Sequence, residues 1–466
     1  MRDSARLLRS ALLLTVSVAC APTGQRRGTQ SPNDQSLVAR VDSVFADIAS
    51  GAPGCAVGVY RDGQLTLSRN YGVTNVEDGR RITSRTNFDL GSAGKQFTAL
   101  ATLMLESQRR ISLDDDVRQY VPELPDYGTP IRIRDLLQHT SGLRDYGTLD
   151  LLAGRETRTM AEFRTALASQ QRLNLTPGTK HEYSHSDFEL LGLIIERVVG
   201  QPFGAYLERE VLRPIGMVNT RVEDARGVRV PDRAFGHAPS AGGVRVVFNS
   251  SEVAGGGNLY TSVEDLMHWD RALADAAAGE RPLVARMLTR PTMPSGDTIP
   301  YAYGVRTESY RGLPTIARGG HSSGMTSEII RFPNQQLAVV ALCNIDGVWA
   351  GPRAQRVADV FLAGVAEASP RSVGYRAPPA APISAAALQE FAGVYHSSGE
   401  LDHSVVAIRG GKLFELFGDT AQAFTHRGGG VFSADDIPGD FRLAFRRSAV
   451  GTIQMDHVSS GEVVAT

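Results

Sequence analysis

The chain has 466 residues, of which 42% are hydrophobic and 21% charged, and its formal net charge is −1. This length exceeds what one hydrophobic core usually organises, and the composition excludes wholesale disorder, so we expect two globular units. A nearly neutral chain has no overall field to attract nucleic acid or an anionic membrane, and we expect no nucleic-acid partner.

The N-terminus is typical of an export signal. Arg2, Arg6 and Arg9 precede an apolar run at residues 11–19, which is too short to span a bilayer. We predict a signal over residues 1–20, a flexible polar tether over 21–36, and export to the periplasm or cell envelope. Cleavage before Cys20 would permit lipidation of that cysteine and attachment to a membrane, and a soluble periplasmic product is the alternative.

Two units follow the tether. Residues 367–386 are rich in proline and alanine and predict an extended linker between a large body, 37–366, and a small unit, 387–466. The small unit contains short alternating segments separated by glycine-rich turns, a pattern typical of a small β-barrel or sandwich.

The large body has hairpin signals near both of its ends. Asp62-Gly63 lies between alternating apolar runs, and Pro333-Asn334 lies between two more. Helical periodicity fills the interval, for example at Phe97, Leu100 and Met104. We therefore predict a mixed α/β fold in which strands from both ends share one central antiparallel sheet flanked by helices.

Cysteine use is sparse, with only Cys20, Cys55 and Cys343 present. Cys55 and Cys343 lie in apolar, strand-like runs, and we interpret them as buried free thiols. No cysteine-based metal site is visible, and we expect no metal or organic cofactor.

The first candidate for chemistry is Ser92-Ala93-Gly94-Lys95, an S-x-x-K sequence. Residues three apart on a helix share a face, and a serine at a helix N-terminus is close to N–H groups that stabilise an anion. The chain has 49 basic residues, of which only Lys95, Lys180 and Lys412 are lysines. Lysine, unlike arginine, can lose its proton and act as a base, so the spacing favours Ser92 as a nucleophile. A surface lysine near a helix start is the alternative.

Two other motifs compete with it. His181-Glu182-Tyr183-Ser184-His185 matches the H-E-x-x-H of zinc peptidases, but Pro177-Gly178 precedes it and a helix cap follows, so the segment does not look helical. Gly320-His321-Ser322-Ser323-Gly324 matches a nucleophile elbow on Ser322, but no helix follows it. We rank both below Ser92.

Several longer stretches resemble the β-lactamase-related serine hydrolases, which include class C β-lactamases, low-molecular-weight penicillin-binding proteins, D-aminopeptidases and esterases. They include TNFDLGSAGKQFTALATLML, IRIRDLLQHTSGLRDY, LTPGTKHEYSHSDFELLGLIIERVVG and GGGNLYTSVEDLMHW, in the order and spacing of that family. The resemblance implies a β-lactamase/transpeptidase-like fold. The small unit, which opens with FAGVY, resembles the lipocalin-like domain often appended to these enzymes.

The resemblance assigns roles to individual residues. Ser92 would be the nucleophile, Lys95 its helical partner and Tyr183 the phenol of the Y-x-N motif, with either Lys95 or Tyr183 as the base. The backbone N–H groups of Ser92 and His321 would form the oxyanion hole.

Two residues depart from the family's pattern. Arg318-Gly319-Gly320 stands where Lys or His, a small residue and Gly are usual, and His185 replaces the Asn of Y-x-N. We expect Arg318, Gly320 and His185 to bind substrate, with Arg318 able to pair with a substrate carboxylate, and we expect altered substrate preference. His139 and Asp265 are interpreted as structural.

The resulting prediction is a serine hydrolase that cleaves an amide or ester through an acyl-enzyme on Ser92. The substrate would be a small molecule or peptide, such as a cell-wall or D-amino-acid peptide, a β-lactam or an ester. A non-catalytic or single-turnover binding protein on the same fold is the alternative, because Arg318 and His185 are altered.

Overall fold

The computed structural model describes most of the chain. It covers residues 32–154, 157–225, 228–240, 243–249, 251–294, 296, 298, 299, 301–366, 378–396, 403–417, 420–434, 441–448, 451–459 and 462–465. The predicted export signal, with Cys20, lies outside these residues.

The helices are α1 Pro32–Val44, α2 Lys95–Ser107, α3 Ile133–Leu137, α4 Tyr146–Ala153, α5 Met160–Ala168, α6 His185–Val199, α7 Phe203–Leu207, α8 Arg213–Ile215, α9 Val263–Ala277, α10 Pro282–Met287, α11 Ala350–Phe361 and α12 Ala385–Gln389. A π-helical stretch, Glu208–Leu212, joins α7 to α8. The helical periodicity predicted for the large body is confirmed in α2 and in α6, which ends where Gly200 adopts φ 70°.

The strands of the large body are β1 Cys55–Arg61, β2 Gln64–Tyr71, β3 Phe88–Asp89, β4 Arg221–Val222, β5 Gly236–Ser240, β6 Gly243–Val247, β7 Leu259–Thr261, β8 Arg306–Tyr310, β9 Leu313–Ser322, β10 Met325–Phe332 and β11 Leu337–Cys343. The strands of the small unit are β12 Gly393–His396, β13 His403–Arg409, β14 Lys412–Phe417, β15 Thr420–Gly428, β16 Val431–Ala434, β17 Phe441–Arg447, β18 Ile453–Ser459 and β19 Glu462–Ala465.

One six-stranded sheet organises the large body, in the order β2-β1-β11-β10-β9-β8 with antiparallel pairing throughout. Both predicted hairpins are confirmed. Asp62 and Gly63 have φ angles of 51° and 69°, as a tight two-residue hairpin turn requires. Because β1 pairs with β11, strands from the two ends of the body share the sheet, as predicted.

Alternating side chains of the sheet enter two separate cores. Ala56 and Tyr60 of β1 pack with the larger helical core, whereas Cys55, Val57 and Val59 pack on the other face, against α1 and α11. The large body is therefore a helix–sheet–helix sandwich, and the predicted mixed α/β architecture is confirmed.

The small unit is an eight-stranded antiparallel meander, β12 to β19 in sequence order, that forms a nearly closed barrel. Leu413, Phe424, Phe432 and Leu443 are among the side chains that fill its core. The predicted all-β C-terminal domain is confirmed.

Three local predictions need correction. The tether assigned to 21–36 is shorter, because α1 begins at Pro32, and a proline in a first helical turn loses no hydrogen bond. The linker assigned to 367–386 ends earlier, because the Ser384 hydroxyl accepts from the N–H of Ala387 and caps α12. Cys55 and Cys343 are not free thiols: they are paired across β1 and β11 and form a disulfide.

Among the described residues, no single helix has both the length and the apolarity needed to cross a membrane. The segments His185–Val199 and Phe203–Ile215 meet that test only when taken together, and they are bent by 77° at the break between them.

Candidate active site

Ser92 and Lys95 are aligned by the start of α2. Residues Gly91–Gly94 form a 3₁₀ turn that runs directly into α2. In a 3₁₀ turn the side chains at positions i and i+3 are nearly eclipsed, and the Nζ of Lys95 accordingly donates to Ser92 Oγ at 3.1 Å. The side chain of Lys95 is completely buried. Nζ also donates to the carbonyl of Gly256 at 3.2 Å.

Tyr183 reaches the same serine from a different segment. It lies in the irregular stretch before α6, and its hydroxyl is 2.8 Å from Ser92 Oγ. Its ring packs on the buried ring of His139, with centroids 4.2 Å apart. The three residues expected to carry out the chemistry are thus brought together, with Ser92 Oγ in contact with both Lys95 and Tyr183.

Arg318 of β9 completes the polar cluster, but its guanidinium faces the protein. Nε donates to the backbone carbonyl of Ser92 at 3.1 Å, and Nη2 donates to the Tyr183 hydroxyl at 2.9 Å. The carbon of the guanidinium lies 5.3 Å from the ring centroids of Tyr183 and Tyr301, and the residue is only 4% exposed. A fixed positive charge beside the phenol oxygen stabilises the phenolate form.

Glycines bring β9 and the nucleophile turn into backbone contact. A methyl group on Gly320 would lie 1.9 Å from the carbonyl oxygen of Leu90, and one on Gly91 would lie 2.9 Å from the backbone nitrogen of His321. Only glycine permits approaches this close. The backbone of His321 is therefore adjacent to the nucleophile turn, where the oxyanion-hole prediction needs it.

The geometry agrees with the comparison to known proteins. The family described as Beta-lactamase matches residues 38–362, which include Ser92, Lys95, Tyr183 and Arg318. The chain belongs to the β-lactamase family.

Relatives of this β-lactamase-family chain include a D-aminopeptidase of Gluconobacter oxydans, 28% identical over 315 residues, which cover 66% of this chain and 59% of the relative. Protein flp of Staphylococcus aureus strain N315 is 26% identical over 329 residues, covering 68% of this chain and 65% of the relative. The chain thus spans less than two thirds of these relatives' own length.

Solved structures share its fold. The octameric penicillin-binding protein homologue from Pyrococcus abyssi has a TM-score of 0.63 at 21% identity, covering 92% of this chain and 96% of that one. EstCE1, a hydrolase with promiscuous acyltransferase activity, has a TM-score of 0.58 at 22% identity, covering 71% and 99%.

His185, which departs from the pattern of the β-lactamase family, lies beside the cluster. Its Nδ1 is 3.0 Å from a carboxylate oxygen of Asp145, its side chain is 39% exposed, and its ring centroid is 5.5 Å from that of Tyr183. A half-exposed ring next to the catalytic phenol is compatible with the predicted contact to substrate, which stays a prediction.

The two competing motifs do not have the geometry that their chemistry requires. α6 begins only at His185, so His181 does not share a helical face with it, and Nδ1 of His181 contacts the carbonyl of Gln138 at 2.9 Å. Within the described part of the chain, no three His, Cys, Asp or Glu side chains are grouped to hold a metal ion. Ser322 ends β9 and a two-residue turn leads to β10, so the helix of a nucleophile elbow is missing there.

A second polar layer supports Tyr183 from behind. His139 Nδ1 is 2.8 Å from a carboxylate oxygen of Asp187, and Nε2 is 3.1 Å from the hydroxyl of Tyr301. Burial lowers the pKa of His139 well below its ordinary value and raises the pKa of Asp187 well above its own. These groups hold the Tyr183 ring in place, in agreement with the structural role expected for His139.

Glu189 is a buried residue of the site that the sequence analysis missed. It is the only charged residue in the apolar run Phe188–Ile195 of α6, and that isolation is the signal that could have identified it. Its side chain is only 4% exposed, and its Oε2 accepts from the N–H of Gly256 at 3.1 Å.

Proposed function

We propose that this protein is an exported serine hydrolase that cleaves an amide or ester by acyl transfer to Ser92. The observation that carries the proposal is the position of Ser92 Oγ, in contact with Lys95 Nζ at 3.1 Å and with the Tyr183 hydroxyl at 2.8 Å. A serine hydroxyl is a weak nucleophile until a neighbouring base accepts its proton, and both candidate bases are within hydrogen-bond distance.

The reaction has two halves. Ser92 Oγ forms a bond to the substrate carbonyl carbon, and its proton passes to the Tyr183–Lys95 pair. The tetrahedral oxyanion accepts hydrogen bonds from the N–H groups of Ser92 and His321. When the bond to the leaving group breaks, that proton is returned to the departing amine or alcohol. Water then attacks the acyl-enzyme, gives up a proton to the same pair, and releases the acid and free Ser92.

The substrate class follows from the family and from the surroundings of the cluster. The relatives include D-aminopeptidases, and the structural neighbours include a D-stereospecific amidohydrolase and D-alanine carboxypeptidases. We propose a small amide or ester, such as a D-amino-acid or cell-wall peptide or a β-lactam. His185 would contact the substrate amide beside Tyr183.

Export is part of the proposal. The predicted signal at residues 1–20 supports it, and so does the Cys55–Cys343 disulfide, because such bonds persist mainly in oxidising compartments outside the cytosol. Lipidation of Cys20 would anchor the enzyme to a membrane. Intact-mass measurement of protein purified from a bacterial envelope fraction would distinguish a lipidated Cys20 from a soluble mature chain.

The test is covalent labelling with a fluorophosphonate, followed by intact-mass and peptide mapping. We expect one adduct on Ser92 and no adduct in Ser92→Ala, while Ser322→Ala labels as the wild type does. An adduct on Ser322, or no adduct on any serine, would overturn the proposal. Multiple turnovers of p-nitrophenyl acetate by the wild type, lost in Ser92→Ala, would exclude a non-catalytic binding protein.

A further inference from the structure

Glu189 is a buried carboxylate that the proposed reaction leaves without a role. It lies on α6, six residues after Tyr183, and the Gly255–Gly257 loop separates it from the amine of Lys95. This loop bonds both side chains: the carbonyl of Gly256 accepts from Lys95 Nζ, and its N–H donates to Glu189 Oε2. One peptide segment therefore holds the amine and the carboxylate in a fixed relation.

The two charged groups are close. A methyl group on Gly256 would lie 2.7 Å from Glu189 Oε1 and 3.0 Å from Lys95 Nζ. The carboxylate and the ammonium are therefore separated by no more than about 6 Å, a distance at which opposite charges stabilise each other strongly in a buried site.

Glu189 also offsets an excess of positive charge. Lys95 and Arg318 both approach Ser92 and Tyr183 from buried positions, and an uncompensated buried cation is unfavourable. The other titratable groups that face Glu189 are Asp145 and Tyr146 from the start of α4, and His185 on α6 itself.

We propose that Glu189 is a positioning residue for acylation, whose carboxylate keeps the Lys95 amine protonated and directed at Ser92 Oγ. With Lys95 held as the ammonium, Tyr183 is the group in contact with Oγ that accepts the serine proton. Burial raises the pKa of Glu189 to about 7, while the positive charge of Lys95 opposes that rise. The inference rests on the proposed acylation of Ser92.

The experiment measures the second-order rate constant for fluorophosphonate labelling of Ser92 between pH 5 and pH 10. The variants are Glu189→Gln, Glu189→Asp and the control Glu196→Gln. Glu196 is matched because it is a carboxylate on the same helix that accepts a backbone N–H, that of Phe203 at 3.3 Å, without a role in the cluster. Glutamine at 189 can still accept from the N–H of Gly256, so it removes the charge and retains the bond.

In Glu189→Gln we expect the alkaline limb of the profile to move about one to two pH units lower, because the ammonium has lost its counter-charge. At pH 9 the labelling rate should fall about tenfold or more. Glu189→Asp should retain most of the wild-type limb, and Glu196→Gln should match the wild type.

The outcomes separate the two proposals. A wild-type protein that is not labelled on Ser92 refutes the proposed function itself. If the wild type is labelled and Glu189→Gln, folded by circular dichroism, has an unchanged alkaline limb, the role of Glu189 is refuted. If Glu189→Gln does not fold, the aspartate variant decides: a profile displaced by one unit or more, although the charge is retained, contradicts the proposal.

Discussion

Replacing Arg318 with lysine distinguishes two roles for this residue. The resemblance implies a side chain that binds a substrate carboxylate, whereas in the structure its guanidinium is directed at the Ser92 carbonyl and the Tyr183 hydroxyl. Lysine retains the positive charge but, as a point charge on a flexible stem, cannot donate along both directions with the same rigid fork.

The expected loss follows from the missing bond. A hydrogen bond from a charged donor contributes about 1.5–3 kcal/mol. If the bond from Arg318 to the Tyr183 oxygen is needed to stabilise the phenolate during acylation, its loss should slow Ser92 labelling about 10- to 100-fold. The effect should be the same for neutral and for carboxylate-bearing reagents, because the arginine acts on the enzyme's own groups.

The assay compares Arg318→Lys with wild type using a neutral fluorophosphonate and a pair of esters that differ by one carboxylate. Arg233→Lys is a matched control, because Arg233 also stacks on a tyrosine, Tyr260, and donates to its hydroxyl at 2.6 Å, without a contact to the Ser92 cluster. Full labelling by the neutral reagent, with a raised KM only for the carboxylate ester, would refute this reasoning and support direct substrate binding.

Three further predictions concern the frame around the site. Gly320→Ala should abolish Ser92 labelling and lower the melting temperature, because a methyl group would lie 1.9 Å from the Leu90 carbonyl oxygen; unchanged labelling would contradict the backbone contact. Reducing the Cys55–Cys343 disulfide should lower the free energy of unfolding by about 2–4 kcal/mol in urea titrations, and no change would indicate free thiols. The pKa of Glu189 is raised to about 7 from 4.5, so the folded state binds its proton more tightly than the unfolded chain. Stability should therefore fall by about 3 kcal/mol as the pH rises from about 4.5 to about 7 and then level off, and Glu189→Gln should lack this slope.

How far the sequence predicts the site depends on the separation of the residues involved. Ser92 and Lys95 are three residues apart, and helical geometry alone predicts that they meet. Tyr183 and Arg318 could be assigned only through the family resemblance, because no local rule relates them to Ser92. The direction of the Arg318 guanidinium was outside both kinds of reasoning, since it depends on tertiary contacts with Ser92 and Tyr183.

The errors in the sequence analysis have the same origin. Both cysteines were correctly placed in strands, but whether they face each other depends on the register of β1 against β11, which spans a sequence separation of 288 residues. Glu189 looked like one more polar residue on an amphipathic helix, and its burial is visible only once α2 and the Gly255–Gly257 loop pack against α6. The elements and the fold class, which depend on local pattern, were predicted well.

The cluster is held by backbone contacts that do not depend on the residues that vary. Gly320 and Gly91 join β9 to the nucleophile turn, and Gly256 links Lys95 to Glu189, at distances where any side chain would collide with another part of the site. Arg318 and His185 differ from the family's usual residues, yet they change side chains on this frame and leave the positions of Ser92, Lys95 and Tyr183 intact. Because Arg318 donates inward, its substitution changes the electrostatics of the base, whereas half-exposed His185 changes the surface that a substrate meets. An altered rate profile should therefore follow from the first departure and an altered substrate range from the second.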